Sequence, residues 1–444
     1  MAPAAPRIAI VGAGPVGLTL AAILHRHGIQ SSVFERDSSA AVRAQGGTLD
    51  IHAATGQRAL EAAGLLPAFT RIARYEGEAV RIVKKDGTVL LDENEKDDEQ
   101  QQAGSKEKEG GEGEGEAAQR RGRPELDRRD LKDLLIKALP EGMVRWGRGV
   151  AAVEPVEGSK TWTLSFMNTD NHNTGTPEES ESGPYDLVLG ADGAWSRVRP
   201  LLTDARPQYS GISALEIWIS AARLAARPDI QRFIGQGGVM MMAQDRFLSM
   251  QRHGDGSART YACVRTSRAA GAPVPDTQTL LGLAGEVDWA DETTRKRFLD
   301  RHFGDYDPTV RELVLAMTEQ PCLRHLYMLP VGHRWAPRPG VSLLGDAAHV
   351  MTPFAGVGVN VGMMDALELA EGLAAHVRRM EEEGGVGEQD AGEALARVLR
   401  AYEDQMFVRA SRDAAFTAKM VEIEFQDDGC ESMARAMTGG GFPD

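Results

Sequence analysis

Cysteine is scarce in this chain: three among 444 residues, Cys263, Cys322 and Cys430, each far from the others. That spacing offers no metal-ligand set and argues against a disulfide framework, so a reducing compartment is expected. Long apolar runs are missing too. A bilayer span needs roughly 20 apolar residues, and the long uncharged stretch near the start, Ile8–Leu24, is broken by Gly12, Gly14, Pro15 and Gly17. It lacks a basic n-region and leads into His25-Arg26-His27 rather than a cleavage site. Positive charge is in deficit, with 50 Lys and Arg against 65 Asp and Glu and a formal net charge of -15. That balance argues against non-specific nucleic-acid binding. Even the acidity is local, because Asp92–Glu116 holds eleven acidic residues and three lysines. A cytoplasmic protein without membrane insertion or a nucleic-acid partner is expected.

What is present is an ordinary globular composition, 42% hydrophobic and 26% charged. The length allows two or three domains, or one large intertwined unit. Arg7–Val11 reads as a buried parallel strand, followed at once by Gly12-Ala-Gly14-Pro15-Val16-Gly17. Helical spacing through Leu18, Leu20, Ala21 and Leu24 stops at Gly28. A second strand, Ser31–Phe34, ends at Glu35. This is a dinucleotide fingerprint in its required context. The first glycine allows the tight turn, the second lets backbone approach a pyrophosphate, and the third packs helix on strand; the acid binds a ribose. Gly12, Gly14, Pro15, Val16, Gly17 and Glu35 are therefore candidate cofactor contacts. Arg36 either lies against the adenine or reaches a 2′-phosphate, or is simply solvated. The fingerprint alone does not separate FAD from NAD.

A second organised stretch is Leu343–Asn360. Val341–Leu344 reads as a buried strand, Gly345 turns the chain, and Asp346 is left at the strand's carboxyl end, where α/β sheets bind ligands. A carboxylate there can accept from a sugar-alcohol hydroxyl. Pro353 precedes a loop kept bare by Gly356 and Gly358, and a helix starts near Asn360. Its first amides and its dipole favour negative charge in front of them. Such a site suits a planar cofactor that becomes anionic.

Gly-Asp-Ala-Ala-His followed by Pro-Phe-Ala-Gly-x-Gly-x-Asn resembles the GD motif of the single-component, class A FAD monooxygenases. Ala191-Asp192-Gly193-Ala-Trp-Ser196-Arg197-Val-Arg199 resembles the same family's DG motif. Gly46-Gly-Thr-Leu-Asp-Ile-His52, Trp162-Thr-Leu-Ser-Phe166, Pro353–Asn360 and Tyr402-Glu-Asp-Gln-Met-Phe407 look like the tetracycline-inactivating flavin monooxygenases. The resemblance implies an α/β, Rossmann-like FAD-binding domain of the p-hydroxybenzoate hydroxylase type. An intertwined antiparallel-sheet substrate domain and a C-terminal bracing helix go with it. Carried over by motif, Glu35, Arg36, Arg43, Asp50, Arg128, Asp192 and Asp346 contact FAD, as do Pro353, Gly356, Val357, Gly358, Val359 and Asn360 at the helix amino end. Pro353, Gly356 and Gly358 shape the side where oxygen reacts. Arg128 alternatively forms a helix-start salt bridge with Asp130, and His349 is expected to pack near the loop rather than act as a base. NADPH or NADH binds transiently as co-substrate, because the chain has a single dinucleotide fingerprint. The implied reaction consumes O2 and, through a flavin C4a-hydroperoxide, hydroxylates an electron-rich carbon of a small aromatic, polyketide-like or alkaloid-like molecule.

Along the chain, residues 1–75, 124–206 and 321–383 are assigned to the FAD-binding domain, and 76–92 and 207–320 to the substrate domain. Residues 93–123, rich in Glu, Gln, Lys and Gly, are read as a disordered insertion. Residues 391–437 form the C-terminal helix. Val80–Leu91 is expected to be a hairpin turning at Asp86-Gly87, and Glu125–Leu139 a helix. Here the chain departs from its tetracycline-inactivating relatives, whose drug is held by a glutamine, an arginine and a histidine. In those places stand Glu216, the apolar Val239–Met242 stretch and Tyr261, which puts tetracycline in doubt as substrate. Glu216, Met242, Tyr261 and Phe354 are the candidate substrate contacts. A monomer is expected. The rival readings are a flavin dehydrogenase or reductase that avoids oxygen, and a non-catalytic flavin or small-molecule binder. A flavin halogenase would need a Trp-x-Trp-x-Ile-Pro segment and a lysine after the fingerprint, and neither is seen.

Overall fold

A computed structural model describes residues 6–42, 46–94, 122–167, 181–281, 288–319, 321–382 and 388–440. Nearly all of the 93–123 insertion lies outside them. The cofactor half is built on a parallel five-stranded sheet ordered Val341–Leu343, Leu187–Gly190, Ile8–Val11, Ser31–Phe34, Val144–Arg145. The strands Ile8–Val11 and Leu187–Gly190 are buried at every position, as strands covered on both faces must be. The helices Pro15–Arg26 and Gly358–Glu382 pack on it through Leu18, Leu20, Leu24, Leu367 and Leu369.

The second half is a seven-stranded sheet, antiparallel except where Gly238–Ala243 runs parallel to Val80–Val83. From one edge its order is Cys322–Met328, Gln208–Ile219, Ala258–Arg265, Arg246–Arg252, Gly238–Ala243, Val80–Val83 and Val89–Asp92. Alternation along these strands separates two apolar sets. Leu215, Ile217, Val239, Met241, Leu248 and Ala262 pack under the helices Glu292–Phe303 and Pro308–Leu315. Ala214, Met242, Phe247 and Cys263 face the other way, towards Phe354 and the end of the helix Glu388–Glu424.

The hairpin at Asp86-Gly87 is present, with Gly87 at φ +86°. Several expectations change. Glu125–Asp127 is a strand paired with Thr48–Asp50, and the helix begins only at Arg128. Leu126 opposite Leu49 buries that pairing, which overrides the helical spacing seen downstream. Glu181–Tyr185 joins a three-stranded sheet with Trp162–Phe166 and Val150–Pro155, and Leu187–Gly190 enters the central one. Cys322–Met328, placed by sequence in the cofactor half, is the edge strand of the seven-stranded sheet, bonded to Gln208–Ile219. The C-terminal helix runs Glu388–Glu424 and breaks before a short helix, Gly429–Arg435.

That long helix holds the second glycine loop in place. Tyr402 Oη donates to the Leu343 carbonyl (2.8 Å), and Ser342 Oγ and Trp335 Nε1 donate to Glu403 Oε1 (2.8 and 3.0 Å). Arg409 donates to Asp365 Oδ1 (2.7 Å) and Glu368 Oε1 (2.6 Å).

Candidate active site

Two glycine loops meet at the carboxyl ends of the central strands. Gly12, at φ +105°, sits where a Cβ would collide with the Ala191 carbonyl, and a Cβ on Gly17 would strike the Gly12 carbonyl. Gly14 is the opposite case: nothing lies within 4 Å of where its Cβ would stand, so the helix start behind it faces open space. Val16 is the wedge joining the loops. A Cβ on Gly345 (φ +58°) would lie 3.0 Å from its side chain, and one on Gly362 2.5 Å. Glu35 is already oriented, accepting from the amides of Ala13 (2.7 Å) and Asp37 (3.0 Å).

Asp346 is exposed while every other residue of 341–350 is buried. The fold leaves one carboxylate looking out of an apolar run. Arg199, 3% exposed, fixes its backbone. It donates from Nε to the Ala347 carbonyl (2.7 Å), from Nη2 to that of Asp346 (2.9 Å) and from Nη1 to that of Ala194 (2.8 Å), tying the DG and GD loops together. Asp192 accepts from the Arg197 amide (2.6 Å), while its Oδ1 is sealed from solvent without a partner. Burial raises its pKa. An unpaired buried carboxylate oxygen is costly unless a further group meets it.

Gly356 is left-handed at φ +65°, and a Cβ there would lie 3.6 and 3.7 Å from the Asp50 carboxylate oxygens. The helix from Gly358 follows, its first amides free of intrahelical partners and its floor open, since a Cβ on Gly358 would meet nothing within 4 Å. Asn360, 1% exposed, spends its side chain on the neighbouring segment. It donates to the Asp50 carbonyl (2.8 Å) and accepts from the His52 amide (2.8 Å). Its side chain is thus a positioning element for Asp50. Val357 and Val359 flank the same open floor. Arg36 is exposed beside Gly149, and Arg128 lies against Gly46, where a Cβ would be 2.6 Å from its Cδ. No salt bridge to Asp130 is found among the described residues; Arg43 lies outside them.

His349 Nε2 is 2.6 Å from Asp365 Oδ2, whose carboxylate also accepts from the Gly345 amide (2.9 Å) and from Arg409. Burial opposes its charge, but Asp365 outweighs that and holds the imidazole above its usual range. The histidine is part of a buried brace, as the sequence suggested.

Over the loop lies one face of the seven-stranded sheet. Cross-strand register puts Cys322, Glu216, Tyr261, Ser249, Met240 and Ile82 in one row, and Arg324, Ala214, Cys263, Phe247 and Met242 in the next. Tyr261 reaches the cofactor side, its hydroxyl 3.0 Å from where a Gly47 Cβ would stand. Glu216 is 8% exposed, with one oxygen on Arg259 Nη1 and the other on Arg324 Nε. Met242, 2% exposed, and Phe354, 9% exposed, form an apolar wall. Phe354 meets Phe247 and Phe425 edge-on at 5.4 and 5.1 Å. Sequence reasoning missed Arg199, Arg259, Ser249 and Arg324. Strand parity would have put Arg259 beside Tyr261; the pairing of Arg324 needed the register.

The profile of the FAD binding domain family matches residues 6–270 and 334–386. The monooxygenase asqM of Emericella nidulans is 31% identical over 97% of this chain and 98% of its own length. Among solved structures, a salicylate hydroxylase substrate complex superposes with a TM-score of 0.66 at 19% identity, covering 99% of this chain and 96% of that one. The tetracycline destructase Tet(51) superposes at 0.60 and 17% identity, covering 99% and 98%. An elongated flavin dinucleotide fits the site's own features: an open glycine cradle, an outward carboxylate and a bare helix start.

Proposed function

This chain belongs to the FAD binding domain family and is an FAD-dependent monooxygenase, and we propose that it hydroxylates an electron-rich carbon of a small aromatic, polyketide-like or alkaloid-like molecule. The observation that carries the site assignment is Asp346, the outward-facing residue of a buried run, set between the Gly14 cradle and the Gly358 helix start. Bound FAD supplies the redox chemistry, taking electrons from a reduced nicotinamide and delivering oxygen from O2.

The protein's part is binding, orientation and exclusion of water. Gly14 and the first amides after it receive the pyrophosphate, and Glu35 takes the adenosine ribose, its carboxylate held by Ala13 and Asp37. Asp346 accepts from the ribityl chain. The amides from Gly358 on favour negative charge at the pyrimidine edge, with Asp50 beside Gly356. Phe354, Phe247, Phe425 and Met242 close one end of the space beneath the sheet to water. Tyr261 and Ser249 face what remains, between cofactor and sheet. The relationship to a salicylate hydroxylase makes phenols the first compounds to try. No helix among the described residues is long and apolar enough to cross a membrane.

The test is spectroscopic. Purified protein should be yellow, bleach with NADPH under anaerobic conditions and recover its colour with oxygen. In the presence of a substrate the product should gain one oxygen atom. A product that only loses two hydrogens would make the protein a dehydrogenase, and NADPH oxidation indifferent to every added compound would favour a binder.

A further inference from the structure

Glu216 lies on this sheet face in contact with two arginines, and it is turned away from solvent. Arg259, 5% exposed, lies over the Trp218 ring at 4.8 Å and gives Nη1 to Glu216. Arg324 gives only Nε; its side chain is 53% exposed, and neither terminal nitrogen has a hydrogen-bond partner among the described residues. Two guanidinium groups against one carboxylate leave a positive charge on this face, and it is presented by Arg324. Glu216 and Arg259 are buried, but Arg324 keeps about half of its side chain in solvent, so the pairing leaves the terminal nitrogens of Arg324 open to a further partner.

Position supports a ligand. Arg324 stands directly opposite Ala214, which is opposite Cys263, so two small side chains separate it from Phe247 and Met242. Tyr261, half-buried, lies one row over, across from Glu216. These two rows are polar at Arg324 and Tyr261 and apolar at the far end, where Ala214, Cys263, Phe247 and Met242 are buried.

We propose that Arg324 anchors the substrate and that Glu216 is the positioning residue that aims it. The anchored group is a planar oxygen acceptor, a carboxylate or an amide carbonyl, attached next to the ring that is oxidised. A guanidinium fixed at Nε offers its two terminal nitrogens as a fork, the geometry that planar oxygen acceptors match. This rests on the monooxygenase reading of the same site.

The experiment is a titration of the FAD-loaded protein with phenol, salicylate and salicylamide, followed by the flavin difference spectrum. Wild type should bind salicylate or salicylamide about tenfold or more tighter than phenol, the scale of a hydrogen bond to a charged group. Whichever of the two is favoured identifies carboxylate or carbonyl. Arg324→Gln should abolish the preference, and Arg324→Lys should restore part of it. Glu216→Gln should reduce it by a smaller factor. A wild type without preference, or an Arg324→Gln variant that weakens all three compounds alike, would overturn the assignment. Reduction of wild-type flavin by NADPH, with and without each probe, reports separately on the monooxygenase reading, and its failure in every case would sink that reading while leaving the probe preference to be judged on its own.

Discussion

On the cofactor side of the cleft, the decisive polar side chains are held by backbone. Glu35 takes the amides of Ala13 and Asp37, Arg199 takes three carbonyls, and Asn360 takes the carbonyl of Asp50 and the amide of His52. On the sheet side, Glu216, Arg259 and Arg324 hold one another, and their main chains contribute only the strand ladder. Backbone-held groups keep their geometry whatever molecule arrives, which suits a resident cofactor. Side chains held by side chains can be exchanged a few at a time without moving the frame, which suits a pocket whose occupant differs among relatives.

The sharpest way to break that comparison is at the brace behind the second glycine loop. Arg409→Met leaves Asp365 and Glu368 without their guanidinium, with Asp365 fully buried beside His349. Removing one partner of a buried pair costs about 3–5 kcal/mol. Denaturant unfolding should show a loss of that size, and FAD retention should fall with it because the Gly345 amide shares the same carboxylate. Unchanged stability would mean that the loop is held from elsewhere.

A second test lies where the halves touch. Glu125 faces Asp50 across the short ribbon, with its Oε2 sealed and unpartnered. Burial, reinforced by Asp50, pushes its pKa up to about 8. The unfolded chain releases this proton near the ordinary carboxylate value, whereas the folded chain keeps it to about pH 8. Between those values the native state binds more protons, so stability falls as pH rises through the window. Glu125→Gln carries no such proton. It should match wild type near pH 4.5 and exceed it at pH 9 by about 1–3 kcal/mol, below the limit of roughly 5 that the full shift allows. Parallel melting-temperature profiles for the two proteins would show that Glu125 ionises freely.

How far sequence reached follows the same division. Gly12, Gly14, Gly17, Glu35 and Asp346 were legible because their reasons are local: a turn, a close approach, a strand end. Gly87 was legible for a similar reason. The Glu125–Asp127 strand was not, because its partner lies some 75 residues away across the ribbon. Nor was the strand Cys322–Met328, whose mixed exposure shows no clean alternation. With it went Arg324, and the pairing of Glu216 was hidden because the two arginines that occupy it lie 43 and 108 residues distant. Position in a row of a sheet is decided by register, which no local pattern contains.

Asp346→Asn is a gentler probe of the cofactor side. The side chain is exposed and the loop is held by Arg199 and Arg409, so unfolding should stay within about 0.5 kcal/mol of wild type. The hydrogen bond proposed for Asp346 to the ribityl chain would lose its charge, and FAD should bind about tenfold more weakly by fluorescence titration. Loss of stability together with affinity would show that Asp346 serves the fold.

The smallest effect is expected at Arg36. It is exposed, next to a Glu35 that backbone amides already hold, and its Cβ lies 3.0 Å from where a Gly149 Cβ would stand. Removing the head group disturbs no hydrogen bond of the frame, so Arg36→Ala should leave stability within about 0.5 kcal/mol. A guanidinium over an exposed ring contributes about 0.5–1 kcal/mol, so FAD affinity should fall only two- to fivefold if Arg36 covers the adenine. The same titration at high salt separates the causes. A loss that persists marks stacking, whereas one that disappears marks a screened charge reaching a phosphate. An unchanged affinity in both would leave Glu35 and the glycine cradle to hold that end of the cofactor, the backbone-built half at its plainest.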